Sequence, residues 1–211
     1  MAAYIIVTLV AYLLGSISFS VIISKKMAGF DVREKGSGNA GATNMLRSVG
    51  KKGAVLTLIG DCLKGVVAIL FAIIVGKIAK NADKALLVQL AGIAVVLGHT
   101  FPIFFGFKGG KGVATSLGIV LLLNWQIGLI CLVFALVLMI LTRMVSLGSI
   151  SAAILFPVLT IFITENYLVE GNYIIFGILL AAFVVYNHRA NVKRILTGTE
   201  NKLNFNKEKG E

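Results

Sequence analysis

Seven apolar runs, at 3–23, 54–76, 85–105, 113–125, 126–142, 146–164 and 172–187, leave this chain few ways to fold. A helix needs about 20 residues to cross roughly 30 Å of hydrocarbon, where every backbone N–H and C=O must find a partner within the protein. The expected fold is therefore an all-α polytopic membrane protein, one membrane-embedded domain over 1–211 with seven transmembrane helices. Composition agrees, because 58% of the 211 residues are hydrophobic and only 14% are charged, against about a quarter charged in soluble domains. The least regular region is 113–142, where Asn124, Trp125 and Gln126 interrupt the run and leave the fourth span short. That span begins directly after Gly112, so its first turn is expected below the membrane surface. The opening Met-Ala-Ala-Tyr has no basic residue, and the first run is read as an uncleaved span rather than a signal peptide.

The charge balance orients these spans. There are 20 Lys and Arg against 9 Asp and Glu, a net charge of +11. In a soluble chain that excess would suggest nucleic acid; in a membrane chain it follows from the enrichment of Lys and Arg in cytoplasmic loops. Nucleic acid is not an expected partner. With the N-terminus outside, segments 24–52, 106–112, 143–145 and 188–211 carry seven, two, one and six basic residues, against only Lys77, Lys80 and Lys84 in the outer loops. An outside N-terminus and a cytoplasmic C-terminus follow. Four polar segments then reach the cytoplasmic face, and any shared site is expected there.

The first of them, Lys35-Gly-Ser-Gly-Asn-Ala-Gly-Ala-Thr-Asn-Met-Leu-Arg47, formally contains Gly36-x-Gly38-x-x-Gly41. A dinucleotide fold needs a strand before that motif, and a chain of apolar spans offers none. What remains is a loop dense in small donors ahead of Arg47, suited to an anion. The second, Lys108-Gly-Gly-Lys-Gly112, sets two cations on a nearly bare backbone at the start of a helix, where N–H groups and the dipole favour phosphate. It lacks the spacing of a Walker loop. The third, Arg143-Met-Val-Ser-Leu-Gly-Ser149, offers Ser146 and Ser149 as helix caps or ligands. The fourth, Tyr186-Asn-His-Arg-Ala-Asn191, places His188 and Asn191 on one helical face.

Inside the spans, Asp61 and Lys64 are spaced to pair on one face, as a structural pair or a functional one. His99 is expected to be a buried, satisfied histidine or a cap near Pro102. Neither histidine has an acid four or five residues on, and no carboxylate pair or metal-ligand spacing accompanies the Gly-rich loops. Covalent and metal-based chemistry are therefore disfavoured, no cofactor is expected, and no protein carboxylate is expected at the site. Such a site suits an anionic substrate that is already activated, with catalysis by positioning and electrostatics. A phosphate or organic-anion transporter is the rival reading, but the sequence has no inverted repeat and its polar motifs gather on one face.

Gly36-Ser-Gly-Asn-Ala-Gly-Ala-Thr-Asn44, Gly98-His-x-Phe-Pro-x-Phe-x-x-Phe-Lys-Gly-Gly-Lys-Gly112 and His188-Arg-x-Asn191 together resemble the three signatures of the bacterial acyl-phosphate:glycerol-3-phosphate acyltransferases of the PlsY type. The resemblance covers nearly the whole chain. It implies seven spans in the bacterial inner membrane with the active site on the cytoplasmic face. Its implied reaction carries a fatty acyl group from acyl phosphate to sn-glycerol 3-phosphate, giving lysophosphatidic acid and phosphate. By motif it implies Ser37, Arg47, Lys108, Ser146, His188 and Asn191 around glycerol 3-phosphate and the reacting centre. The backbone and side chains of Gly36, Gly38, Asn39, Gly41, Thr43, Asn44, Gly109, Gly110, Lys111 and Gly112 would hold phosphate. Membrane lipids and a peripheral enzyme that forms acyl phosphate are the partners it implies.

Overall fold

The computed structural model describes residues 1–165 and 167–203, and every regular element among them is helical. The first apolar run forms α1 (Ala2–Gly15) and α2 (Phe19–Ala28), interrupted at 16–18. Ser16 Oγ donates back to the Tyr12 carbonyl at 2.9 Å, the kind of bond that bends a helix. The break leaves the Ile17 carbonyl outside the helical ladder, where Lys64 Nζ donates to it at 3.0 Å. A short α3 (Ala42–Ser48) precedes α4 (Lys51–Ile78), whose 28 residues span about 42 Å.

Glycines set how closely the helices pack. Gly98, on α5 (Lys84–Thr100), rests on the backbone of Tyr12 and Gly15. Gly118, on α6 (Val113–Leu123), rests in the same way on Cys62 of α4. A Cβ at either position would enter the facing main chain, so these contacts are open only to glycine. The most buried strip belongs to α5, where Leu87, Val88, Ala91 and Val95 have no exposed surface; they pack with Val7, Ala68, Ile119 and Phe176 in one core. Outward-facing side chains remain apolar, among them Leu63, Ile74, Val133, Ile140 and Ile175, as contact with lipid requires.

Five described segments are long and apolar enough to cross a membrane: Ala2–Ala28, Lys51–Ile78, Lys84–Phe105, α7 (Trp125–Thr142) and α8 (Val145–Phe162). Two of the seven expected spans are shorter than a bilayer. With 11 residues, α6 measures about 16 Å. It stops at Asn124, whose side chain accepts from Ile127 N–H at 3.1 Å and donates to the Glu165 carbonyl at 2.9 Å. One residue thus ends α6 and caps α7. The last run gives α9 (Ile174–Asn187), and the polar segment after it forms α10 (Arg189–Leu196), the two bent by 63° at His188.

The polar segments meet at one end of the bundle. Arg33 Nη1 donates to the carbonyls of Phe105 and Lys108 at 2.5 and 3.0 Å. Ala40 N–H donates to Gly109 O at 3.4 Å, and Leu203 N–H to Arg143 O at 2.7 Å. Asp31 caps the turn Val32–Glu34 and pairs with Arg33 at 2.8 Å, fixing the guanidinium that bridges these loops.

Candidate active site

A cavity of about 790 Å³ opens where these segments converge. Its polar end is lined by Ser37, Gly38, Asn39, Gly41, Thr43, Asn44, Arg47, Lys111, Gly112, Ser146, His188 and Asn191. Its other side is apolar, with Leu58, Leu117, Leu132, Leu136, Met139 and Phe156. From Met139 to Gly128 along α7 the lining runs about 16 Å into the bundle.

The loop at 36–41 is held from within by Asn44. Its Nδ2 lies 2.9 to 3.1 Å from the carbonyls of Val32, Lys35 and Asn39, and its Oδ1 accepts from Ser37 N–H at 2.9 Å. Asn44 was expected at the phosphate; its amide is engaged in shaping the loop that carries Ser37. Gly36 has φ 57° and lies against Asn44, so it serves the turn rather than the cavity wall.

The second loop also differs from expectation. Gly109 N–H donates to Thr100 O at 3.0 Å and Gly110 N–H to His99 O at 3.1 Å, so both cap the end of α5. Neither amide is available to a phosphate. N–H groups without an intrahelical partner line the cavity at the first turn of α6, after Gly112 at φ 87°, and at the start of α3, at Ala42 and Thr43. Lys108 is exposed and outside the lining, with its carbonyl held by Arg33. Lys111 takes the inner position: its Nζ donates to Asn191 Oδ1, and burial, partly offset by Glu200, brings its ammonium down to about 8.

Glu200 organises the far wall, against the expectation that no carboxylate reaches the site. Its Oε1 accepts from Ser146 Oγ at 2.9 Å and Asn191 Nδ2 at 2.7 Å; its Oε2 accepts from Arg194 Nε at 2.8 Å. Burial alone would raise its carboxyl, but these three donors hold it below the ordinary carboxylate value. Helical spacing from His188 does not reveal it. The chain reverses after α10 through Gly198 at φ 70°, with Thr199 N–H on Arg194 O, and brings Glu200 back beside Asn191. Asp61, from the middle of α4, is a second carboxylate in the lining.

His188 Nδ1 lies 2.8 Å from the Val184 carbonyl. That oxygen can only accept, so Nδ1 carries the proton and Nε2 holds the lone pair. Burial, reinforced by the charge of Lys111, pulls this imidazole down to about 4. It is neutral at physiological pH.

Residues 5–198 match the family model described as glycerol-3-phosphate acyltransferase. The chain is 46% identical to a glycerol-3-phosphate acyltransferase of Clostridioides difficile over 98% of both sequences. A Shouchella clausii relative of the same description is 45% identical over 92% of this chain and 93% of its own. This chain belongs to the glycerol-3-phosphate acyltransferase family. In three dimensions it is similar to crystal structures of PlsY, an integral membrane glycerol 3-phosphate acyltransferase. The glycerol 3-phosphate form aligns with a TM-score of 0.83 at 40% identity, covering 95% of this chain and 96% of that one. The lysophosphatidic acid form aligns at 0.81 and 38%, covering 95% of each chain.

This acyltransferase is thus a multi-pass integral membrane enzyme of phospholipid synthesis that acts on glycerol 3-phosphate. Of the residues expected around its reacting centre, Ser37, Arg47, Ser146, His188 and Asn191 share one cavity, while the side chain of Lys108 does not line it. The pH behaviour of His188 follows from its environment. Its folded-state value near 4 lies below the ordinary 6.5, so the unfolded chain binds more protons between those values. Its contribution to stability is complete above about pH 6.5 and falls as pH drops towards 4. The wild-type enzyme is expected to lose more melting temperature than His188→Asn between pH 7 and 5. Parallel losses in a detergent melting series would contradict this assignment.

Proposed function

We propose that the enzyme takes its acyl group from acyl phosphate and delivers it to the 1-hydroxyl of sn-glycerol 3-phosphate, releasing lysophosphatidic acid and phosphate. The observation that carries this reading is the two-sided cavity. One end gathers Arg47, Lys111, Ser37, Asn191 and the first turn of α6, which suit phosphate; the other runs about 16 Å along apolar helix faces, which suit an acyl chain. Acyl phosphate has both parts in one molecule, with the reactive carbonyl at their junction.

The chemistry is direct transfer. The substrate hydroxyl attacks the acyl carbon, the bond from that carbon to the bridging oxygen breaks, and phosphate leaves with the electron pair. The hydroxyl proton passes to the departing phosphate. His188, with its Nε2 lone pair, accepts from the second hydroxyl of the glycerol and so orients the attacking one, whose proton stays free for the phosphate. Lys111 and the α6 N–H groups stabilise charge on the leaving phosphate. Glu200 aligns Ser146 and Asn191, and through Asn191 it aligns Lys111. Lys108 is assigned to phosphate through its position three residues before Lys111 on the same loop, its exposed side chain being free of the cavity wall.

The same reading sets seven spans in the bacterial inner membrane, N-terminus outside and site at the cytoplasmic face. The basic residues of the four site-building segments support it. A peripheral enzyme would supply the acyl phosphate. Purified enzyme should form lysophosphatidate from palmitoyl phosphate, and not from palmitoyl-CoA or palmitoyl-acyl carrier protein. Comparable kcat/KM with either thioester would overturn the donor assignment.

A further inference from the structure

Beneath the second Gly-rich loop lie three ionisable side chains that the reaction described above leaves unused. Asp61 and Lys64 stand one turn apart on α4, and His99 lies in the last turn of α5. Their side chains are 2%, 3% and 6% exposed. Lys64 Nζ is 2.8 Å from Asp61 Oδ1, 3.0 Å from the Ile17 carbonyl and 2.9 Å from His99 Nδ1.

An ammonium has three hydrogens to donate and no lone pair. In its 2.9 Å contact with His99 the ammonium can only donate, so Nδ1 is the acceptor; Asp61 Oδ1 lies farther from the same nitrogen, at 3.5 Å. The imidazole proton is then confined to Nε2, and the ring presents an N–H donor on its other edge. His99 lines the cavity, and among the described residues no acceptor meets Nε2. A Cβ at Gly110 would overlap Nε2 and Cε1 and come within 3.0 Å of Ala40 O. Glycine at 110 therefore lets the loop close over the ring, while the Gly110 amide donates to the His99 carbonyl at 3.1 Å. The Nε2–H donor opens onto the cavity. Here Lys64, itself anchored by Asp61 and the α1–α2 break, fixes which ring nitrogen carries it.

We propose that His99 Nε2–H donates a hydrogen bond to a phosphate oxygen of bound substrate, with Lys64 and Asp61 as positioning residues that fix its tautomer. The two imidazoles of the cavity then have opposite polarity: His188 offers a lone pair to a hydroxyl, and His99 offers a proton to an anion. The proposal rests on the reading that this end of the cavity holds phosphate. The phosphate is that of acyl phosphate or of glycerol 3-phosphate, and the two have separate Michaelis constants.

Two substitutions separate the donor from the fold. In His99→Asn the side-chain oxygen takes the place of Nδ1 and accepts from Lys64, but nothing occupies the position of Nε2. In His99→Gln the amide nitrogen reaches the place of Nε2. His99→Asn is expected to keep a wild-type melting temperature in detergent and to lose about 10- to 100-fold in kcat/KM, with kcat changed less than KM. The KM that rises identifies which substrate His99 touches. His99→Gln should recover to within about fivefold of wild type. His99→Asn within about twofold of wild type, or equal losses in both variants, would overturn the proposal.

If neither variant folds, the wild-type enzyme with 15N-labelled histidine decides the matter. One histidine should show a protonated Nε2 and a bare Nδ1, with an Nε2 resonance that moves on saturation with glycerol 3-phosphate or with a non-hydrolysable acyl phosphonate. No movement with either ligand would overturn it. Competitive inhibition of the wild type by inorganic phosphate tests the underlying phosphate reading separately, because its absence removes that reading whatever the His99 variants do.

Discussion

Replacing Lys111 by alanine is expected to lower kcat/KM by about 10²- to 10³-fold, the usual cost of removing one charged or oxyanion-stabilising group from a site. Lys111 is a cation in the cavity lining, tied to Asn191 and close enough to His188 and Glu200 to influence both. Burial works against its charge, so its removal relieves a desolvation cost and the melting temperature should stay level or rise. Loss of activity without loss of stability distinguishes a substrate-facing lysine from a structural one. Lys111→Arg should recover part of the rate, since a guanidinium restores the charge but not the fit. Steady-state kinetics beside a detergent melting curve check both halves. A Lys111→Ala enzyme within a few fold of wild type would remove this residue from the reacting centre.

Glu200→Ala should show the opposite pattern, losing stability and activity together. The carboxylate is 4% exposed and holds Ser146, Asn191 and Arg194 at once. Arg194 is 37% exposed and keeps water, so the cost falls on the buried groups that lose their acceptor, about 1–3 kcal/mol each. Ser146 and Asn191 lose their common acceptor, and Asn191 then no longer fixes Lys111. Glu200→Gln keeps one acceptor oxygen, so it should retain the fold better than alanine while losing the pairing with Arg194.

The hold on Glu200 also makes the protein's stability depend on pH. Its folded-state value is held below the ordinary carboxylate value, so its contribution is present above that ordinary value and lost as pH falls through the folded one. The stability difference between wild type and Glu200→Gln should therefore narrow as the solution is acidified below about pH 4.5. A constant difference would mean that the carboxylate charge is not what holds the wall.

How far the sequence carries the fold depends on the kind of signal. Apolar runs and basic loops mark the membrane helices and the end where the site forms, because lipid imposes length and charge rules on single segments. The gathering of Ser37, Arg47, Lys111, Ser146, His188 and Asn191 follows from short polar segments that share one face. Roles set by reversals and crossings are not legible in this way. Glu200 returns to Asn191 only because Gly198 adopts a left-handed turn past the end of α10. Asp61 and His99 meet because small residues, among them Gly98 and Gly118, draw α1, α5, α4 and α6 into backbone contact. The Gly109–Gly110 pair has the composition of a phosphate cradle, yet its amides cap α5. Composition marks a loop as permissive; only the fold decides which of its N–H groups remain free.

In the proposed reaction both substrates share this cavity and the acyl group passes between them without an enzyme-bound intermediate. Rapid mixing of enzyme with palmitoyl phosphate alone, followed by glycerol 3-phosphate, tests it most directly. No phosphate release and no acylated protein are expected before the second addition, then phosphate and lysophosphatidate in equal amounts. A burst of phosphate with acyl label on the protein, before glycerol 3-phosphate is added, would contradict it.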